Sequence, residues 1–382
     1  MDDNNADIQG SRSSAQEHAV SSAADSNSVP SKSDNASACN YRTYKLTMEY
    51  NGSNYQGFQR QQSTSLATPA ISKKRKRGAP CTIQDKVEEA LMRLTNQSIS
   101  DLRCRMAGRT DKGVHATGQV VAFDYYIDGR RSVDDVSRLT RDKKCIFDQE
   151  NDSHWSIIRA MNAHLPEDIF VRHVSIVPRS LYPFEARKNI MLKRYQYIIR
   201  FRPKGSGRSG PICESGVHTI RKPSLVGRCW ICPWSLDPNV ISRVCARMEG
   251  AHDFSSFVHK AERNKKDNVI NLLKFQAQVY RDDDGEISSE SENDNTENKI
   301  GEEPLENKPM MLKFTVEARG FRRGMVRLLV GFVIDVARGK VKEDEVDLAL
   351  NSSNDSDDSA YTVHSAPACG LYLAKVKYSK NL

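Results

Sequence analysis

The residue types best able to do chemistry gather in one short stretch, Ala107-Gly-Arg-Thr-Asp-Lys-Gly-Val-His-Ala-Thr-Gly118. Asp111 has a cation close by on each side, Arg109 and Lys112, a setting that keeps one carboxylate ionised and directed. Such a carboxylate serves either as a nucleophile or as an electrostatic stabiliser of developing positive charge. Gly108, Gly113 and Gly118 permit close backbone approach and positive φ. Taken alone, the stretch has a plain alternative, because Asp-Lys-Gly is also ordinary turn chemistry. His115 could contact phosphate or base, but with no second ligand histidine in the loop it gives no metal site.

The elements that must position this loop are legible around it. Gln119-Val-Val-Ala-Phe123 follows directly and reads as a strand. Upstream, Tyr44, Leu46, Met48 and Tyr50 alternate with polar residues at strand period. A helix is expected from Thr82, which can cap with Asp85 three residues on, and Ile83, Val87, Ala90, Leu91 and Leu94 form its apolar face. A helix around 154–164 leads to a strand through Ile169, Val171, Val174 and Val177, and Leu192–Ile199 is a strand with Tyr195 and Tyr197 on one face. The second half offers a helix near 238–249, strands near 270–280 and 311–318, a helical run from Phe321 to about Ala337, a short helix near 343–350 and a closing strand, Leu371–Tyr378. This mixture, without regular βαβ alternation, predicts an α+β fold on antiparallel sheets.

Length and charge bound the rest. At 382 residues the chain is long enough for two domains or one large two-lobed unit. Residues 1–40 carry six acids and two bases and read as a disordered tail; residues 282–306 carry eleven acids and one base and read as a disordered hairpin insertion. These segments hold −4 and −10 of a net +8, which leaves +22 on the other 317 residues and points to a polyanionic partner, nucleic acid before membrane. Residues 63–80 form a loop insertion containing Lys73-Lys-Arg-Lys-Arg77, which suits a nuclear-import signal, a phosphate contact or a solvated loop. No window of about 18 apolar residues exists and the first forty residues have no apolar run, so neither a spanning helix nor a secretory signal is expected, and the protein is read as intracellular. The nine cysteines read as reduced thiols, and only Cys229-Trp-Ile-Cys232 has metal or redox spacing, without a second such pair.

Read with its companions, the loop resembles the active-site loop and following strand of TruA-type tRNA pseudouridine synthases: Gly108-Arg-Thr-Asp-Lys-Gly-Val-His-Ala-Thr-Gly-Gln-Val-Val-Ala-Phe123. Further motifs follow in family order. Tyr44–Gln59 resembles the first strand and its Gly-Phe-Gln turn, and Phe184-Glu-Ala-Arg187 with Lys193-Arg-Tyr-Gln-Tyr197 the tyrosine strand. Gly250-Ala-His-Asp-Phe-Ser-Ser-Phe257, Gly320–Gly331 with its Met-Val-Arg, and Ala366-Pro-Ala-Cys-Gly-Leu371 complete the likeness. Arg322 and Gly324 depart from it, taking places where the family usually has Leu and His.

The resemblance implies the pseudouridine synthase fold: two RRM-like lobes, 41–200 and 201–382, whose antiparallel sheets join across a central cleft. It implies isomerisation of uridine to pseudouridine in tRNA, most of all in the anticodon stem-loop, with no metal or organic cofactor. Asp111 is then the catalytic carboxylate, Tyr195 the aromatic against the target base, and Arg327 the partner of the carboxylate. Arg109, Thr110, Lys112, His115, Arg187 and Arg194 are the expected substrate contacts. The expected partners are tRNA and, by analogy with bacterial relatives, a second copy in a homodimer; no membrane partner is expected. The expected compartment is the nucleus, with the cytoplasm as the alternative. Two rivals remain at this stage: a non-catalytic RNA-binding protein of the same fold, and a zinc-dependent protein organised on Cys229 and Cys232. Asp253 could cap a turn or touch RNA.

Overall fold

The structure, a computed structural model, describes residues 41–60, 81–127, 145–147, 154–204, 221–259, 263, 267–281, 309–351 and 363–379. The tail to residue 40, the basic run 73–77 and the acidic segment 282–306 lie outside the described residues.

Alternating apolar residues build one large sheet. Its main path runs β4 (Ile169–Ile176), β1 (Tyr41–Tyr50), β3 (His115–Tyr126), β11 (Leu371–Tyr378), β5 (Ile190–Pro203), β10 (Met310–Ala318) and β9 (Lys274–Arg281). The short β2 (Arg105–Met106) adds to β3, and β6 (Trp230–Leu236) adds to β5. On β1 the expected Tyr44, Leu46, Met48 and Tyr50 are all buried. The 14-residue β5 straddles the expected lobe boundary at residue 200.

The pairings are not all antiparallel. The closing strand β11 lies parallel to β3 (Tyr372 opposite His115, Leu373 opposite Ala116) and antiparallel to β5 (Leu373 opposite Tyr195). β5 and β6 are also parallel. The expected α+β fold on a mostly antiparallel sheet is found, with these two parallel pairs added to it. Alternation of side chains shows which face a strand buries; it carries nothing about the direction of its neighbour.

Helices cover the sheet where their apolar stripes require it. α1 (Ile83–Thr95) is capped by Thr82, and Asp85 completes a reciprocal capping box, so the shorter acid suffices. α3 (His154–His164) buries Ile157, Ile158 and Met161, following the short α2 (Ile99–Leu102) in chain order. In the second half, α4 (Pro238–Met248), α5 (Met325–Ala337) and α6 (Glu345–Asn351) pack together. The helix expected from Phe321 starts instead at Met325, because Gly324 takes a left-handed conformation (φ 69°) and turns the preceding residues aside. The strand expected near 270–280 is two: β8 (Val269–Leu272) pairs with β7 (Gly250–Asp253), and β9 pairs with β10. Arg281 lies opposite Met310, so the acidic segment connects the two arms of a hairpin.

The seam between β3 and β11 is closed by a glycine. A Cβ on Gly118 would stand 2.2 Å from the Ala374 carbonyl oxygen, at the point where the β11–β5 register shifts between Leu373 and Lys375. Gly118→Ala is therefore expected to push the strands apart and cost about 1–3 kcal/mol, the usual range for overpacking. Urea unfolding should show a lower midpoint, while Gly320→Ala, with nothing within 4 Å of its Cβ position, should unfold as wild type. Equal midpoints for the two variants would refute the seam's tightness.

Candidate active site

The loop Ala107–Val114 is held by its backbone. The Ala107 N–H donates to the Val120 carbonyl (2.8 Å), and the Gln119 side chain grips Gly108 at both ends, accepting from its N–H (3.3 Å) and donating to its carbonyl (2.7 Å). The Phe58 N–H donates to the Thr110 carbonyl (3.1 Å), and Gly57 (φ 96°) leaves room, since its Cβ would stand 2.5 Å from that oxygen. The Val114 N–H closes a turn onto the Asp111 carbonyl (3.1 Å) with Gly113 at φ 76°. The Asp111 carboxylate is thus carried on a fixed backbone while its side chain remains 35% exposed.

Tyr195 approaches from β5. Its ring is buried and meets Phe321 edge to face at 5.1 Å, and its hydroxyl stands 3.7 Å from the point where a Gly108 Cβ would lie. Burial pushes the Tyr195 phenol well above the usual 10, and the nearby Tyr50 and the negative charge of Asp111 push it further. It is a neutral hydroxyl at physiological pH. Tyr197, two residues on, belongs to the core and donates to the Pro367 carbonyl (2.6 Å).

The arginine facing the carboxylate is not the expected one. Arg323 Nε stands 3.8 Å from Asp111 Oδ1, whereas Arg327 donates through Nε to the Ala366 carbonyl (2.6 Å) and has no carboxylate within 4.0 Å among the described residues. The cause is the turn at Gly324. Residues 321–324 lie outside the helix, so Arg323 reaches the loop, while Arg327, one turn into α5, faces the segment before β11. Arg323 is 78% exposed, and a pair so open contributes only about 0–1 kcal/mol. Arg322, in the place of the usual leucine, donates to the Asn268 side chain (3.2 Å) and the Asp267 carbonyl, anchoring the same turn.

Three expected substrate contacts are engaged within the protein. Thr110 is buried with its hydroxyl 2.9 Å from that of Tyr50. His115 is 1% exposed, accepts from the Gly52 N–H at Nδ1 (3.1 Å) and stacks on Tyr372 at 4.7 Å. Burial lowers its pKa, which favours the neutral ring, and its Nε2 is enclosed. Arg194 points to the opposite side of β5 from Tyr195 and pairs with Glu317 directly across on β10. Each of these placements follows from a position one residue off the face that carries Tyr195 or from burial that hydrophilic residue type conceals. Arg109, Lys112 and Arg187 are exposed, as a contact role requires.

Two residues near the site escaped the sequence reading, Arg323 and Lys193. Lys193 lies two residues before Tyr195, on the same strand face, and this spacing was the available signal. Cys229 and Cys232 are buried free thiols, and among the described residues no three His, Cys, Asp or Glu side chains converge as a metal centre would need. Asp253 accepts from the Ser255 N–H (2.9 Å) and hydroxyl (2.6 Å), an Asx turn of the capping kind.

A family model described as tRNA pseudouridine synthase matches residues 244–379. The chain is similar to tRNA pseudouridine synthase A of Pseudothermotoga lettingae, 26% identical over 88% of this chain and 100% of the relative. It is similar also to the enzymes of that name from Thermotoga neapolitana, 27% identical with the same coverage, and from a Geobacillus species, 26% identical over 87% of this chain and 97% of the relative. With the carboxylate loop, the tyrosine strand and the closing strand in one sheet, the chain is similar to tRNA pseudouridine synthases over most of its length.

Proposed function

We propose that this chain isomerises uridine to pseudouridine in tRNA, with the anticodon stem-loop as its substrate and Asp111 as the catalytic carboxylate. The observation that carries the reading is that the Tyr195 hydroxyl lies against Gly108 of the carboxylate loop and feels the Asp111 charge, with the Arg323 guanidinium beside that carboxylate. The reaction breaks the bond from ribose C1′ to N1 and makes one to C5; the C5 proton leaves and N1 gains one, so neither redox change nor leaving molecule is involved. Asp111 can attack the nucleoside or stabilise positive charge on the sugar while the freed uracil turns. The base must first leave its stack, at a cost of a few kcal/mol, and the Tyr195 ring offers a surface against which it rests. As a neutral phenol, Tyr195 donates a hydrogen bond rather than acting as a ready base. Arg109, Lys112 and Arg187 supply the cationic rim that holds the RNA backbone. Residues 41–200 and 201–382 are proposed as the two lobes, and a homodimer as the assembly.

Nuclear localisation is part of the same proposal and rests on the Lys73–Arg77 run alone. A fluorescent fusion with these five residues replaced by alanine should lose nuclear accumulation; unchanged distribution would leave the cytoplasm as the compartment.

Asp111→Asn should lower pseudouridine formation by about 10²–10³-fold or more, read by carbodiimide derivatisation and primer extension, with tRNA affinity retained. Wild-type protein that binds tRNA yet forms no product on any tRNA would favour the non-catalytic RNA binder. Because the Tyr195 phenol is raised, the wild-type rate should not fall through its ionisation between pH 7 and about 10, the ordinary tyrosine value. A loss centred near that value and abolished by Tyr195→Phe would contradict the neutral role.

A further inference from the structure

Next to the carboxylate loop Lys193 neighbours Arg187, and Arg187 neighbours Arg109, with Glu185 acting on Arg187 as a partial counter-charge. Lys193 Nζ stands 3.5 Å from the point where a Gly108 Cβ would lie, beside the Tyr195 hydroxyl at 3.7 Å from the same point. Lys193 feels the positive charge of Arg187, and Arg187 that of Arg109. Among the described residues none of the three has a carboxylate within 4.0 Å; Arg187 is steadied through Nη2 by the Met106 sulfur (2.7 Å), and Glu185 is drawn toward Arg103 at 3.9 Å. Burial and the neighbouring Arg187 both lower the Lys193 pKa, the mark of a cation removed from water without compensation.

A half-buried ammonium so placed is unfavourable in the free protein, and an anion seated on it and on the two exposed guanidiniums relieves the cost. Because Lys193 and Tyr195 share one face of β5, an anion on Lys193 lies next to whatever rests on the tyrosine ring. We infer that Lys193, with Arg187 and Arg109, seats a phosphodiester of the nucleotide whose base lies against Tyr195. The inference rests on the proposed function and adds to it the group that orients the extruded nucleotide. A flexible ammonium suits this task, since it follows a single charge without demanding a planar partner.

The test uses an anticodon hairpin carrying a neutral methylphosphonate in place of one phosphate on either side of the target uridine. For wild type, one of the two substitutions should raise KM or Kd by about 10- to 100-fold, the range for losing a hydrogen bond to a charged group. Lys193→Met should lose the same factor on the native hairpin and little more on the modified one, while Lys193→Arg should recover most of it. Independent, multiplying losses would overturn the proposal, as would indifference of wild type to both methylphosphonates. Inorganic phosphate that competes with the hairpin while neither methylphosphonate matters would assign the seat to a free anion and also overturn it. If wild type forms no pseudouridine, the parent reading fails, and the same comparisons made by binding still decide whether the seat takes RNA phosphate. Circular dichroism melts of both variants separate misfolding from loss of contact.

Discussion

The site depends on a strand inserted between its two halves. Asp111 belongs to the loop leading into β3 and Tyr195 to β5, and these strands do not pair; β11, near the end of the chain, lies between them. Leu373 is the spacer, opposite Ala116 on one side and Tyr195 on the other, fully buried and close against Gly108. Neighbouring strands sit about 4.8 Å apart, so two spacings set the separation of the carboxylate loop from the tyrosine strand. The register shift after Leu373 and the absence of a side chain at Gly118 let β11 fit.

Around that wedge, polar and apolar requirements are met by the same residues. Gln119 is wholly buried, and its amide satisfies Gly108, whose buried backbone groups would otherwise be left unpaired. Tyr50 bonds Thr110, and the loop that carries Gly52 caps His115. The backbone is tied while the charged tips meet solvent: the side chains of Asp111 and Arg323 are 35% and 78% exposed on a frame whose peptide groups are hydrogen-bonded. This division suits a reaction in which a bound uracil must detach, turn and reattach within one enclosure.

Much of the architecture was legible because period and capping are local properties. The closing strand, α3 and the α1 capping box were readable residue by residue, and the carboxylate loop and tyrosine strand stood out once read together. What was not legible is long-range. The parallel direction of β11 against β3 has no signature in either strand, and β6, with Pro233 and two tryptophans, does not alternate like a strand. The choice between Arg323 and Arg327 turned on the conformation of Gly324, because a helix begun four residues earlier would have rotated both side chains. His115, Thr110 and Arg194 look like open contacts by type, but burial or strand parity engages them within the protein, and both depend on neighbours that meet only in the folded sheet.

The hairpin of β9 and β10 has a consequence for the acidic segment. Arg281 and Met310 face one another as cross-strand partners, so the chain leaves and re-enters the fold at a single rung of the ladder. Closing such a gap costs free energy that grows only with the logarithm of its length. Natural lengthening, or the grafting of a reporter domain, can therefore proceed at that rung without altering the spacing of β10 from β5, and with it the placement of the tyrosine.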